Sequence, residues 1–318
     1  MKKSTKIALL VAAALLVIGT VLCAVSLQSV GFDFYKLSTS NGRSEEMKKE
    51  TFDAQNILEI QLEIDIDDLH LIRSEDSQIH LQYTNWNNRK YEISSNGGTL
   101  TVTQGDVKGP HGVPWFSFDF GDEDHDVFLA LPEDYAGDLQ ISSGVGDVEL
   151  ETELRLSGSL DFQLDSGSFR ADSLTAPRIT VETDIGDIAG NDWSADTYLF
   201  LATKTGDIDL EGSQIAGDLI CQTDIGEITL SAVESGTVQL STQTGDIHLE
   251  RLRADRVTAS TDIGDISGTL VGIEAEYTIF TETDIGDSSL KDRAGTTQRQ
   301  LDLETETGDI SVRFIRPD

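Results

Sequence analysis

The sequence predicts an all-β chain: a parallel β-solenoid of about nine 20-residue coils, with an irregular N-terminal β cap and one transmembrane helix before it. Three observations carry this. A phrase, T-D-I-G-D-I or T-x-T-G-D-I, recurs with glycines at Gly146, Gly167, Gly186, Gly206, Gly226, Gly245, Gly264, Gly286 and Gly308, at steps of 21, 19, 20, 20, 19, 19, 22 and 22 residues. Around each glycine, apolar and polar residues alternate with period two, as in a strand with one buried face. Residues 1–28 differ from everything after them, because they hold a long uncharged run.

Numbered from the glycine, apolar or small residues fall at −7, −5, −3, −1, +2 and +4. In the Gly206 unit these are Leu199, Leu201, Thr203, Thr205, Ile208 and Leu210. The parity slips once, at Gly-Asp. Glycine accepts positive φ and Asp bonds its own backbone, so the pair predicts a corner between two strands. Stacked in parallel, such units bury a column of Ile, Leu and Val that no single unit buries alone. At strand spacing the stack would be about 40 Å long. The −3 column is Thr183, Thr203, Thr223, Thr242, Thr261, Thr283 and Thr305. Its inward parity predicts a threonine ladder whose hydroxyls supply one another. An antiparallel sandwich would not repeat the same residue types at the same offsets.

The remaining elements follow in order. Lys2, Lys3 and Lys6 precede Ile7–Leu27, 21 residues without charge, long enough to span a bilayer as a helix. The lysines place the N-terminus in the cytoplasm and the rest outside. A cleaved signal peptide ending near Ala24-Val25-Ser26 is the alternative to this anchor. Residues 1–28 are thus the anchor, 29–50 a polar linker, 51–137 the N-terminal β region and 138–318 the solenoid. No capping segment follows the last corner. Lys291, Arg293, Arg299, Arg313 and Arg316 in the last two units are edge charges that discourage pairing with other chains.

Charge excludes some function classes. The chain has 23 Lys and Arg against 57 Asp and Glu; without the three lysines before the span, the balance is 20 to 57, a net charge of −37. That opposes nucleic acid and anionic lipid, and favours cations and cationic partners. Of two cysteines, Cys23 lies in the apolar run and Cys221 has core parity, so no disulfide forms within the ectodomain.

The sharpest constellation is carboxylate. Asp187, Asp207, Glu227, Asp246, Asp265, Asp287 and Asp309 stand at +1, and Asp184, Asp224, Asp262, Asp284 and Glu306 at −2. Like charges one strand apart repel by roughly 1 kcal/mol even in water. Either each +1 carboxylate accepts backbone N–H groups at its corner, or weakly bound Ca²⁺ sits between the columns. The Ca²⁺ candidates are Asp184 with Asp187, Asp224 with Glu227, Asp262 with Asp265, and Asp284 with Asp287. A second feature is Trp115, Phe116, Phe118 and Phe120, which either join the core of the cap or form a partner patch. The five histidines, 70, 80, 111, 125 and 248, show no metal-ligand spacing. Even the longest connectors, near Gly268–Ala275 and Lys291–Gln298, are too short to build a catalytic cleft. No Ser-His-Asp pattern, P-loop or metal quartet appears, so the chain reads as non-catalytic and without a cofactor.

The repeated phrase, with Val127–Pro132 leading into Gly144-Val145-Gly146-Asp147, resembles the bacterial "putative adhesin" β-strand-repeat family, common in Gram-positive organisms. The resemblance covers roughly residues 52–315. It implies a β-solenoid ectodomain, frequent membrane attachment, cell-envelope or envelope-stress settings, and no catalytic residues. Two units depart from the phrase: Asp165–Phe169, and Asp287-Ser288, which lacks the apolar +2 residue. The expected function is a surface-displayed interaction module for a protein, peptide or glycan. The alternatives are a sensor of cationic peptides and, more remotely, a glycan-active enzyme.

Overall fold

Nearly every regular element is a strand, as the period-two pattern requires. The computed structural model describes residues 46–85, 89–106, 126–133 and 135–316. Almost all of these fall in one compact unit, comprising Met47–Asn85, Arg89–Gly105 and His125–Asp318. The other unit, Met1–Glu46 with Trp86–Asn88 and Asp106–Asp124, lies almost wholly outside the described residues. The apolar run Ile7–Leu27 and the patch Trp115–Phe120 lie there too. Among the described residues no helix is long and apolar enough to cross a membrane.

Each turn is a long strand, a glycine corner and a short strand. Long strands such as Ser194–Thr205 and Gln214–Ile225 stack in one parallel sheet. Short strands such as Ile208–Glu211 and Ile228–Ser231 stack in the other. Register is residue for residue: Leu199 pairs with Leu219, Leu201 with Cys221 and Thr203 with Thr223. The inward Ile, Leu and Val columns fill the space between the sheets, with Leu199, Leu201 and Ile208 fully buried.

The structure shows why the phrase has its form. At each corner the backbone ladder breaks and leaves two groups without a backbone partner: the glycine C=O and the N–H of the +1 residue. Side chains of neighbouring rungs supply both at most corners. Thr203 Oγ1 donates to Gly186 O at 3.0 Å, and Thr223 Oγ1 to Gly206 O at 3.1 Å. Asp207 N donates to Asp187 Oδ1 at 3.0 Å, and Glu227 N to Asp207 Oδ1 at 2.8 Å. The threonine column is therefore inward as expected, but its hydroxyls bond corner carbonyls rather than one another. Thr223→Val keeps the shape and orphans Gly206 O, so it is expected to lower unfolding stability by about 1–3 kcal/mol in urea titrations.

A second expectation is corrected at −1. These side chains point outward, not into the core: Val145, Ile185, Ile225, Ile263 and Ile285 are between 55% and 69% exposed. The corner begins at −2, before the glycine, so the parity changes earlier than Gly-Asp. In the Gly186 unit Thr183 is buried, Asp184 half-buried and Ile185 exposed.

The ends depart from chain order. Near the N-terminus, Glu59–Ile64 and Asp68–Arg73 form a rung without a glycine corner, directly beneath Asp138–Val145 and Val148–Leu150. The later strands Thr99–Asp106 and Asp126–Leu131 lie outside that rung. Gln78–Asn85 adds antiparallel to Asp126–Leu131, and Glu46–Asp53, which begins inside the expected linker, pairs with Gln78–Asn85. Here side chains replace the missing corner. Gln104 Oε1 accepts Asp65 N and Ile66 N at 2.7 and 3.1 Å, while Gln104 Nε2 and the Tyr91 hydroxyl donate to the buried Asp67 carboxylate. Burial, and then the Asp67 charge, push the Tyr91 phenol pKa up.

At the C-terminal end Arg299–Thr307 stacks directly on the strand ending at Ile263, and Tyr277–Ile285 lies outside it. The Gly308 unit thus sits inside the Gly286 unit. Ser288 explains the exchange. With serine at +2, the Gly286 unit makes only a bridge to Ile310 instead of a short strand. A rung with half a face belongs at an end, and the complete Ile310–Ile315 takes the interior place on Ile266–Val271. The expected nine coils are accordingly a solenoid of about eight turns, closed by this half rung. The chain caps its own C-terminal end. Arg299, expected as a free edge charge, pairs with Asp255 and Glu276 at 3.1 and 3.0 Å.

Candidate functional site

The corner residues that point outward form a regular exposed column among the described residues. In spatial order the −1 column reads Val145, Ser166, Ile185, Thr205, Ile225, Thr244, Ile263, Thr307 and Ile285. Apolar and hydroxyl side chains alternate at every step. Like residues recur two rungs apart, at roughly 9.6 Å. Chain order would set Ile263 beside Ile285; insertion of the Gly308 unit places Thr307 between them. The alternation is thus a property of the assembled stack.

Two carboxylate columns flank this ridge. At +1 the hydrogen-bond ladder described above also includes Asp265 N to Asp246 Oδ1, Asp309 N to Asp265 Oδ1, and Asp287 N to Asp309 Oδ1, at 2.7–2.8 Å. Backbone donors therefore offset the mutual repulsion of these carboxylates. Glu227, one methylene longer, instead accepts from Thr229 Oγ1 at 3.1 Å. At −2 the acids of T-D-I-G rungs meet the residue of the next T-x-T-G rung. Asp184 pairs with Lys204 at 2.6 Å, and Asp224 accepts from Gln243 Nε2 at 2.8 Å. The bond to Asp184, with a smaller share from the charges of Asp184, Asp224 and Asp165, raises the Lys204 pKa. The column ends on Asp262, Glu306 and Asp284 in three successive rungs. A shallow groove beside Lys204 is lined by Gln163, Asp165, Glu182, Asp184, Gln222 and Asp224.

The Ca²⁺ candidates Asp184, Asp187, Asp224, Glu227, Asp262, Asp265, Asp284 and Asp287 all stand on these two columns. The structure stacks them but does not bring any three to one point. Among the described residues the one group of three such side chains with converging ligand atoms lies elsewhere: His70, Glu149 and Glu151, all within 4.8 Å of one another. They project from the short-strand sheet, where Phe128, His70 and Glu149 stand abreast on adjacent rungs. The sequence hides this group, because the acids lie about 80 residues from His70. Only the placement of Asp68–Arg73 under Val148–Leu150 unites them.

No match appears among curated proteins. A "putative adhesin" from Parabacteroides merdae superposes with a TM-score of 0.52 at 14% identity, over 85% of this chain and 96% of its own. Another from Parabacteroides distasonis gives 0.50 at 10% identity, over 84% and 97%. At these identities the likeness concerns the fold. The sequence profile of one family matches residues 57–313, nearly the whole of the rung-forming chain. On that match, and on the corner chemistry that recurs through it, the chain belongs to the Toastrack DUF4097 family.

Proposed function

We propose that this chain is a non-catalytic, membrane-anchored surface protein whose solenoid is an adhesin-like interaction module at the cell envelope, and that the corner ridge is its contact surface. One observation carries the reading: five aliphatic side chains stand outside the core at a regular spacing, more than half exposed, and the exchange of the last two units preserves their alternation with hydroxyls. Exposed aliphatics arranged in a line, with polar residues on both sides, have the composition of a binding surface. The solved structures with which it superposes are named "putative adhesin", and the run Ile7–Leu27 behind three lysines supports an anchor that displays the solenoid outside the cell.

The ridge chemistry also favours a second reading, capture of cationic amphipathic peptides by an envelope-stress sensor. The aliphatics lie in a strongly acidic field, and Asp262, Glu306 and Asp284 end the −2 column without an intervening base. The test is a triple variant, Ile185→Asp, Ile225→Asp and Ile263→Asp. These side chains leave the core untouched, so the melting temperature should stay within a few degrees. Binding of the full chain to matrix proteins, glycans or cationic peptides is expected to fall at least tenfold, about 1.4 kcal/mol. Peptide binding that weakens with salt selects the sensor; salt-insensitive matrix or glycan binding selects the adhesin. Unchanged binding by the triple variant would sink the ridge as the contact surface.

A further inference from the structure

We propose that His70, Glu149 and Glu151 form a binding site for a first-row divalent cation of borderline character, with Zn²⁺ as its best-fitting member. The site is separate from the ridge and does not rest on it. His70 Nδ1 lies 2.8 Å from Glu151 Oε1, and one carboxylate oxygen of Glu149 completes a set whose atoms are all within 4.8 Å of one another. Ligand atoms around a tetrahedral ion with bonds of about 2.0–2.1 Å stand about 3.3 Å apart. Small side-chain rotations therefore close the set, and the backbone need not move.

Four features make the group more than a coincidence of surface acids. The imidazole supplies a nitrogen donor, which a first-row ion uses and Ca²⁺ does not favour. Its ring lies against Phe128, with centroids 4.9 Å apart and planes 19° from parallel, so its direction is set before any ion arrives. On the far side, His70 Nε2 faces Asp126 Oδ1 at 3.6 Å. At that distance the carboxylate makes no hydrogen bond to the ring, but its negative charge stabilises the positive charge that the imidazole gains when it ligates an ion. His70 and Glu149 pair on adjacent strands, and Glu151 follows directly with its N–H bonded to Leu71 O, which limits the ordering cost of binding. The His70 side chain is 19% exposed and that of Glu151 45%, so water has access to the remaining coordination positions. Binding replaces the Glu151–His70 hydrogen bond with two metal bonds and releases any proton held on Nδ1.

The test titrates chelator-treated full chain with Zn²⁺, and separately with Ca²⁺, by calorimetry, and repeats the Zn²⁺ experiment as a thermal melt. The expected result is a site of one ion per chain that prefers Zn²⁺ to Ca²⁺ and raises the melting temperature. His70→Ala and Glu149→Gln should each remove that site, whereas His80→Ala and His248→Ala should leave it. Asp126→Asn, which keeps all three ligands, should weaken it about tenfold. Glu149 is exposed, so its variant reports on the ion even if the histidine variant folds poorly. Equal Zn²⁺ binding by wild type and Glu149→Gln, or equal affinities for Zn²⁺ and Ca²⁺, would overturn the proposal.

Discussion

Replacing Gly226 with alanine is expected to lower unfolding stability by about 4 kcal/mol, through backbone strain of about 1–3 kcal/mol and overpacking of similar size. The residue sits at φ 155°, a region that L side chains rarely occupy. A Cβ there would lie 1.9 Å from Gly206 O, well inside contact distance. The neighbouring rung cannot yield, because Gly206 O also receives Thr223 Oγ1, and both glycines donate their N–H to the −1 carbonyl of the following rung, Gly206 to Ile225 O and Gly226 to Thr244 O. The substitution therefore pries apart two rungs, and the Thr and Asp bonds across that corner go with the glycine contact. Urea unfolding measures the loss, and faster hydrogen exchange at Asp207 and Glu227 locates it. Gly105→Ala is the control: nothing lies within 4 Å of its Cβ position, and its effect should stay below about 1 kcal/mol. Equal costs at Gly226 and Gly105 would mean that close packing of the rungs does not require glycine at the corner.

Trp193→Ala is expected to cost about 3–5 kcal/mol, the range for truncating a buried large aromatic. Trp193 is 1% exposed; its Nε1 donates to Ala171 O at 3.0 Å and its ring meets Phe169 edge-on at 5.7 Å. Phe162 extends the cluster, 4.6 Å from Phe169. Two rungs thus depend on one side chain, and the space it vacates is too apolar to be filled usefully by water. The local sequence is adapted to it. Gly190 stands at +4, where the following units carry Leu210, Leu230 and Leu249, and a Cβ at Gly190 would lie 2.5 Å from the indole. Trp193→Phe should recover more than half of the loss. Denaturant midpoints compare the variants; a Trp193→Ala loss under about 1 kcal/mol would show that the stack relaxes around the cavity.

These two positions show how differently the fold was legible. Gly226 belongs to a column, and the column is readable because stacking converts sequence period into spatial identity. Trp193 has no counterpart at the equivalent place in the next units, Ser213 and Val233, and a glycine at 190 in place of leucine does not by itself say that an indole fills the core above Ala171. The same contrast holds for the surface. The −1 isoleucines share the parity of the core, and their outward direction follows only from a corner that starts at −2. Their regular alternation depends on an exchange of the last two units, which the serine at 288 permits. The site at His70 was equally hidden, since its parts meet only because a glycine-free rung lies under the first repeat.

The amino-acid sequence by itself determined the class and the period: a parallel stack of short strands, glycine corners, an inward threonine column and acids on the outside. It could do so because each rung repeats the same local conflict, a corner where one C=O and one N–H lose their backbone partners, and threonine and aspartate resolve it in most rungs. Tertiary structure alone decided the order of rungs at both ends, the outward ridge and the partners of the threonines. Those depend on which strand competes best for an exposed sheet edge. That competition is between segments far apart in the chain, and no spacing within one unit records its outcome.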